Sequence, residues 1–154
     1  VLHLEPVTKE NWRDAVFLTT DPKHENPLDE EWVTSTAFSM LQAVYEENWD
    51  CRVVYDGEMM VGFVFYGLWK GNRPLLCRYM IDIDHQGKGY GQRALPLIVR
   101  QICAQYHSQK VYVTLEKENR RAVYLYEKFG FRDTGEVDEG ENVYLYRVDG
   151  AGAM

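Results

Sequence analysis

A chain of 154 residues with a hydrophobic fraction of 45% and a charged fraction of 27% has the composition of a folded globular domain, long enough to bury a core without staples. Its formal net charge of −7 withholds the basic footprint that nucleic-acid binding needs. Three widely spaced cysteines offer neither a paired disulfide set nor a metal cluster, and no apolar run reaches membrane-spanning length, so a cytoplasmic protein with no metal, membrane or nucleic-acid partner is expected.

In chain order, residues 2–7 (LHLEPV) read as a strand that stops near Pro6. Thr8 can cap a helix with Asn11 three residues on, and Trp12, Ala15, Val16 and Leu18 supply its apolar contacts. A loop-rich stretch follows. Asp29 to Tyr45 then looks helical, with apolar residues spread widely around it. The segment from Cys51 to Trp69 is a hairpin about Asp56-Gly57, a tight-turn pair. A further strand covers 74–83, and a glycine-dense loop, DHQGKGYGQ, comes directly after it. Leu95, Ile98, Val99, Ile102 and Tyr106 then mark a helical stripe, interrupted by Pro96. A buried strand over 110–116, a helix from Asn119 to Phe129 ended by Gly130, and a hairpin across residues 138–140 complete the chain. The order is β α α β β β α β α β β. It predicts one domain over 1–149 with a short tail, 150–154, and a mixed α/β sheet with helices on its faces.

The glycine loop fails two phosphate signatures. A Walker loop requires Ser or Thr after its lysine, but Gly89 follows Lys88. A dinucleotide fingerprint would need glycine at 92, where Gln stands. A third pattern fits: strand, then Gln86-Gly87-Lys88-Gly89-Tyr90-Gly91, then helix. Successive N–H groups at a helix start carry partial positive charge, and glycines let a phosphate approach them. The plainer alternative is a tight connector with no ligand.

A second signature stands downstream: Asn119, Ala122, Leu125, Tyr126, Gly130 and Phe131 form N-x-x-A-x-x-L-Y-x-x-x-G-F. Together the two segments resemble the GNAT superfamily of acyl-CoA-dependent N-acetyltransferases over about residues 2–148. CRYMIDIDHQGKGYGQRAL and DGEMMVGFVFYG further resemble the bacterial spermine/spermidine (diamine) acetyltransferases. One departure is Cys77, where an acidic residue often precedes the arginine. The resemblance implies a mostly antiparallel, splayed sheet of about seven strands with about four helices on its faces. Strands 76–83 and 110–115 would part to admit acetyl-CoA. Family members are often dimers, so a homodimer is expected.

From this resemblance follow expectations for individual residues. Tyr126 would protonate the leaving thiolate as general acid. The Ile81 N–H would face the developing oxyanion. Backbone groups of Met80, Ile81 and Asp82 would pair with the pantetheine arm. Gln86, Gly87, Lys88, Gly89, Tyr90 and Gly91 would surround the pyrophosphate, and Asn119 and Ala122 would border the arm or the loop. Glu116 or Asp82 could take the amine's proton, or a water chain could replace both. Acidic groups at 29–31, 46–47 and 136–141, with Trp32, Phe38, Tyr45, Trp49, Phe65 and Trp69 for cation–π contacts, suggest a polyamine acceptor. Another amine (aminoglycoside, amino acid or protein) and a non-catalytic acyl-CoA sensor are the alternatives.

Overall fold

The computed structural model describes residues 1–20 and 36–148. The elements follow the order read from the sequence: β1 (Leu2–Pro6), α1 (Trp12–Val16), α2 (Thr36–Tyr45), β2 (Trp49–Asp56), β3 (Met59–Trp69), β4 (Arg73–Ile81), α3 (Tyr90–Tyr106), β5 (Lys110–Leu115), α4 (Arg120–Phe129), β6 (Arg132–Asp138) and β7 (Glu141–Arg147). The helix expected from Asp29 is described from Thr36 onward. Asp29, Glu30, Glu31 and Trp32 lie outside the described residues.

Local chemistry accounts for the punctuation. Thr8 Oγ1 accepts from the Asn11 N–H at 3.3 Å while Asn11 Oδ1 accepts from the Thr8 N–H at 2.7 Å, a reciprocal cap ahead of α1. Gly57 takes φ 62° in the β2–β3 turn. The strand expected over 74–83 stops at Ile81, because Asp82 accepts from the Asp84 N–H at 3.2 Å and starts a 3-10 turn, Ile83–His85. Pro96 sits in the second turn of α3 and the helix continues through it. At the end of α4, Gly130 (φ 130°) and Phe131 both donate backbone N–H groups to the Tyr126 carbonyl, at 3.1 and 2.9 Å. That reversal sends Phe131 fully inside, edge-on to the Tyr126 ring.

The seven strands lie in the order β1-β2-β3-β4-β5-β7-β6. Every neighbouring pair is antiparallel except β4 and β5, which α3 connects as a parallel crossover. Two apolar layers flank the sheet. Val61, Val64, Tyr66, Leu76, Val111 and Val113 pack under α3 and α4. Phe63, Phe65, Val53 and Cys51 pack with Ala15 and Leu18 on the α1 side, joined by Met40 of α2. Gly62 permits this packing at one point: a Cβ there would lie 2.7 Å from the Met80 carbonyl oxygen.

Candidate active site

β4 pairs with β3 along its length but meets β5 only at Leu75↔Tyr112. The reason is visible in the register. Tyr66 faces Leu76 and Phe65 faces Arg78, so Cys77 has no residue opposite. This β-bulge bends β4 and increases its twist. Past it the two parallel strands separate, as the splayed sheet requires.

Backbone direction decides what the opening offers. The Asp82 N–H donates to the Val61 carbonyl on β3 at 2.8 Å. Successive strand residues present their backbone groups to opposite edges. Met80 therefore also faces β3, while Ile81 and Tyr79 turn theirs toward the opening. Of the residues expected to pair with an arm there, Met80 and Asp82 turn their backbone groups to β3 instead, and Ile81, with the unanticipated Tyr79, faces the opening. The Ile81 carbonyl on that edge already accepts from Gln86 Nε2 at 3.0 Å.

The glycine loop wraps the start of α3. Gly87 and Gly89 take φ 79° and 83°, a left-handed geometry that a side chain would strain. The first helical bond runs from the Arg93 N–H to the Gly89 carbonyl at 3.1 Å. Among the described residues, the N–H groups of 87–92 have no acceptor, so they form an array suited to a phosphate. Sequence reasoning missed Arg93, whose Nη2 donates to the Lys88 carbonyl at 3.2 Å and whose guanidinium lies 4.8 Å from the Tyr90 ring centre. Its position, one helical turn beyond Gly89, was the available signal. Lys88 is exposed. The Tyr90 side chain turns inward and donates to Asp56 Oδ2 at 2.6 Å, so only its backbone belongs to the array. That bond holds the Asp56 carboxyl below its usual range.

Tyr126 is buried on α4, and burial alone raises its phenol well above the ordinary range. Burial, and in smaller part the nearby Tyr126, raises the Tyr79 phenol as well, and its hydroxyl donates to the Gly91 carbonyl at 2.9 Å. Asn119 Oδ1 accepts from the Ala122 N–H at 3.2 Å, which makes Asn119 the cap of α4 and uses the Ala122 N–H. The Asp82 carboxylate is likewise occupied, by the N–H groups of Thr19 and Asp84 at 2.9 and 3.2 Å. Glu116 is exposed just past the end of β5.

On the α2 side of the opening stands Arg78. Its Nη1 donates to Ser39 Oγ at 2.7 Å and Gln42 Oε1 at 3.3 Å. Its guanidinium lies 4.8 Å from the Phe65 ring centre and 5.7 Å from that of Phe38. Burial lowers its pKa. The Trp69 ring carries Lys70 at 4.7 Å and Arg73 at 5.6 Å. Three aromatics expected to receive a polycation thus already face cations of this chain, while Trp49 stacks on Phe65. Glu136 is similarly engaged by Lys70 and Arg73. A cavity of about 560 Å³ opens elsewhere, between α1, α2 and β2, lined in part by Trp12, Met40, Val44 and Cys51. None of the expected catalytic or cofactor residues lines it.

Residues 7–131 match the model of the acetyltransferase (GNAT) family. The spermine/spermidine N(1)-acetyltransferase of Bacillus subtilis (strain 168) is 36% identical over 99 residues, covering 59% of this chain and 64% of that protein. The spermidine N(1)-acetyltransferase of Escherichia coli (strain K12) is 34% identical over 58 residues, covering 38% of this chain and 31% of that protein. Among solved structures, spermidine N-acetyltransferase from Vibrio cholerae in complex with CoA and spermine aligns with a TM-score of 0.67 and 20% identity, over 94% of this chain and 92% of that one. The PaiA N-acetyltransferase from Thermoplasma acidophilum in complex with coenzyme A aligns with a TM-score of 0.68 and 12% identity, over 96% and 99%. At these identities the structural likeness establishes the fold.

Proposed function

The chain belongs to the acetyltransferase (GNAT) family, and on that premise we propose that it transfers the acetyl group of acetyl-CoA to a primary amine of a small polycation, spermine or spermidine. The observation that carries this reading is the Ile81 N–H turned into the β4–β5 opening, beside an array of free loop amides. The two curated relatives bear names of polyamine acetyltransferases, although the match covers 64% of the first one's length and 31% of the second's.

Acetyl-CoA supplies the acyl group as a thioester, and the balance is R–NH3⁺ plus acetyl-CoA giving R–NH–acetyl, CoA–SH and H⁺. The amides of 87–92, with the charge of Arg93, suit the pyrophosphate. The Ile81 N–H would donate to the acyl oxygen as negative charge grows there. Tyr126 holds its proton because burial disfavours phenolate, and it would release that proton to the leaving sulfur. An amine with a pKa near 10.4 is neutral in roughly one molecule in a thousand at pH 7, so a proton must leave it first. Of the two expected carboxylates, Asp82 is committed to amides, which leaves exposed Glu116 or water to receive that proton.

The cysteines are all unpaired thiols, which supports a reducing cytoplasmic setting. No described helix is long and apolar enough to cross a membrane. Leu41, Val44 and Tyr45 of α2 are exposed, a surface that supports the expected homodimer. The direct test offers acetyl-CoA with spermine, spermidine, putrescine, an aminoglycoside and a lysine peptide, and detects acetylated product by mass spectrometry. Transfer to spermine or spermidine above the others is expected. Transfer only to a different amine would remove the polyamine assignment. Tight binding of acetyl-CoA with no transfer to any acceptor would remove the enzyme.

A further inference from the structure

We propose that Glu141, at the start of β7, is the carboxylate that receives the acceptor's ammonium group, across the β4–β5 opening from Cys77. The assignment rests on the amine acetyltransferase reading and adds to it a residue for the acceptor.

Side-chain alternation places the relevant groups on one face. Val111, Val113 and Leu115 of β5 enter the core beneath α3, so Tyr112 and Thr114 face the other way. Arg73 lies over Tyr112 on that face, with its guanidinium 5.1 Å from the ring centre. On β4 the same face presents Arg78, which reaches Ser39 of α2, and Met80, which packs with Phe63 and Phe65. Cys77 joins them because the bulge turns it the same way as Arg78. Across the opening, Thr114 Oγ1 donates to Glu141 Oε1 at 3.0 Å. Glu141 is thereby held behind Thr114 on the same face, half-buried and directed by a single neutral donor. Tyr144 and Tyr146 of β7 belong to the opposite, α3 side, as the alternation requires.

A cationic acceptor needs an anion here, and β4 does not supply one. Cys77 is a thiol that burial pushes further from ionising, and its neighbour Arg78 is positive. The nearby carboxylates are mostly committed. Glu136 pairs with Lys70 and Arg73, Asp138 with Lys70 at 3.1 Å, and Asp133 with Lys117 at 2.9 Å. Asp82 accepts two backbone amides. Glu139 is exposed in the hairpin turn with φ 48°. Among the described residues, Glu141 has no cationic partner, and its second oxygen is open. Its charge also reaches Cys77, where it adds to the cost of ionising the thiol. Counting along the parallel pair from Leu75↔Tyr112 brings Cys77 level with Thr114, so Cys77 and the Glu141 held by Thr114 stand on opposite lips of the place where β4 and β5 part.

The test measures spermine binding by calorimetry to full-length protein saturated with CoA, in wild type, Glu141→Gln and the double variant Cys77→Asp/Glu141→Gln. Glutamine keeps the shape and still accepts from Thr114, so the fold is retained. Spermine affinity is expected to fall at least about tenfold in Glu141→Gln, with CoA affinity unchanged, since one charge-assisted contact is worth that much. The double variant returns a carboxylate to the opposite lip, and most of the affinity should return with it. A change below about twofold in Glu141→Gln, or equal weakening of both ligands, would overturn the assignment. A double variant as weak as Glu141→Gln would overturn it too, because the charge itself would then not matter. Wild-type protein that binds spermine without acetylating it would refute the enzyme reading while leaving Glu141 as the ammonium site. Wild-type protein that binds no spermine would overturn both.

Discussion

The two edges of β4 differ sharply. Toward β3 it makes a long antiparallel ladder, so tight that Gly62 has no room for a Cβ beside Met80 and Ile81. Toward β5 it makes one pairing, at Leu75, and then leaves its backbone open. One strand thus forms core on one side and offers an unpaired backbone edge, the proposed reaction surface, on the other. The bulge at Cys77 is the local event that separates the two duties. The comparison teaches that stability and chemistry should be separable by mutation along this one strand and its neighbours.

The largest effect is expected on the open side. Tyr126→Phe keeps the ring packed on Phe131 but removes the acid, and kcat should fall about 10²-fold or more while the melting temperature stays nearly constant. Steady-state kinetics beside thermal melts checks this; parallel losses in both would return Tyr126 to packing. Next comes the closed edge. Gly62→Val should cost about 1–3 kcal/mol of stability through overpacking against the Met80 carbonyl, read by urea unfolding. An unshifted midpoint would show that the ladder is looser than its geometry. Gly89→Val places a branched side chain at φ 83°, a strain of about 1–2 kcal/mol, so CoA affinity should drop about tenfold. Calorimetry with CoA would detect it, and unchanged affinity would separate the loop from the phosphates.

The smallest effect is a matter of pH. Burial raises the phenols of Tyr66, Tyr79 and Tyr126 in the folded protein. A raised folded pKa leaves stability intact below the unfolded value, near 10, and erodes it as pH climbs toward the folded values. Melting temperature should therefore be flat with respect to these groups through pH 9 and decline above about 10. For the same reason Tyr126 should produce no alkaline limb in kcat below that pH.

Much of this was legible in the chain. The element order, the seven strands and the glycine loop follow from periodicity and turn residues, which are local properties. Tyr126, Gly87 and Gly89 could be singled out as candidates because their spacing is local too. Met80 and Asp82 were misdirected because backbone direction depends on a register counted from Val61, on another strand. The aromatic acceptor surface was overdrawn at Trp69 and Phe65. Their rings are covered by Lys70, next in sequence to Trp69, and by Arg73 and Arg78, whose contacts exist only once β3 and β4 are paired. Arg93 escaped notice, and Glu141 stood undistinguished within the acidic group 136–141, because a charge gains meaning from what faces it.

The bulge at Cys77 has one more implication, for insertions and deletions. Everything after it on β4 is displaced by one step in the strand's two-fold alternation. Loss of Cys77 itself would restore an unbroken ladder in which every later residue keeps its partner on β3 and its face, but it would remove the bend that parts β4 from β5. A deletion farther along, between Arg78 and Ile81, would instead turn the Ile81 amide toward β3 and the Asp82 amide into the opening, with side chains swapped between the two layers. β4 therefore tolerates substitution better than a change of length. Among relatives, the count of residues between Leu76 and Gly87 should be held more strictly than their identity.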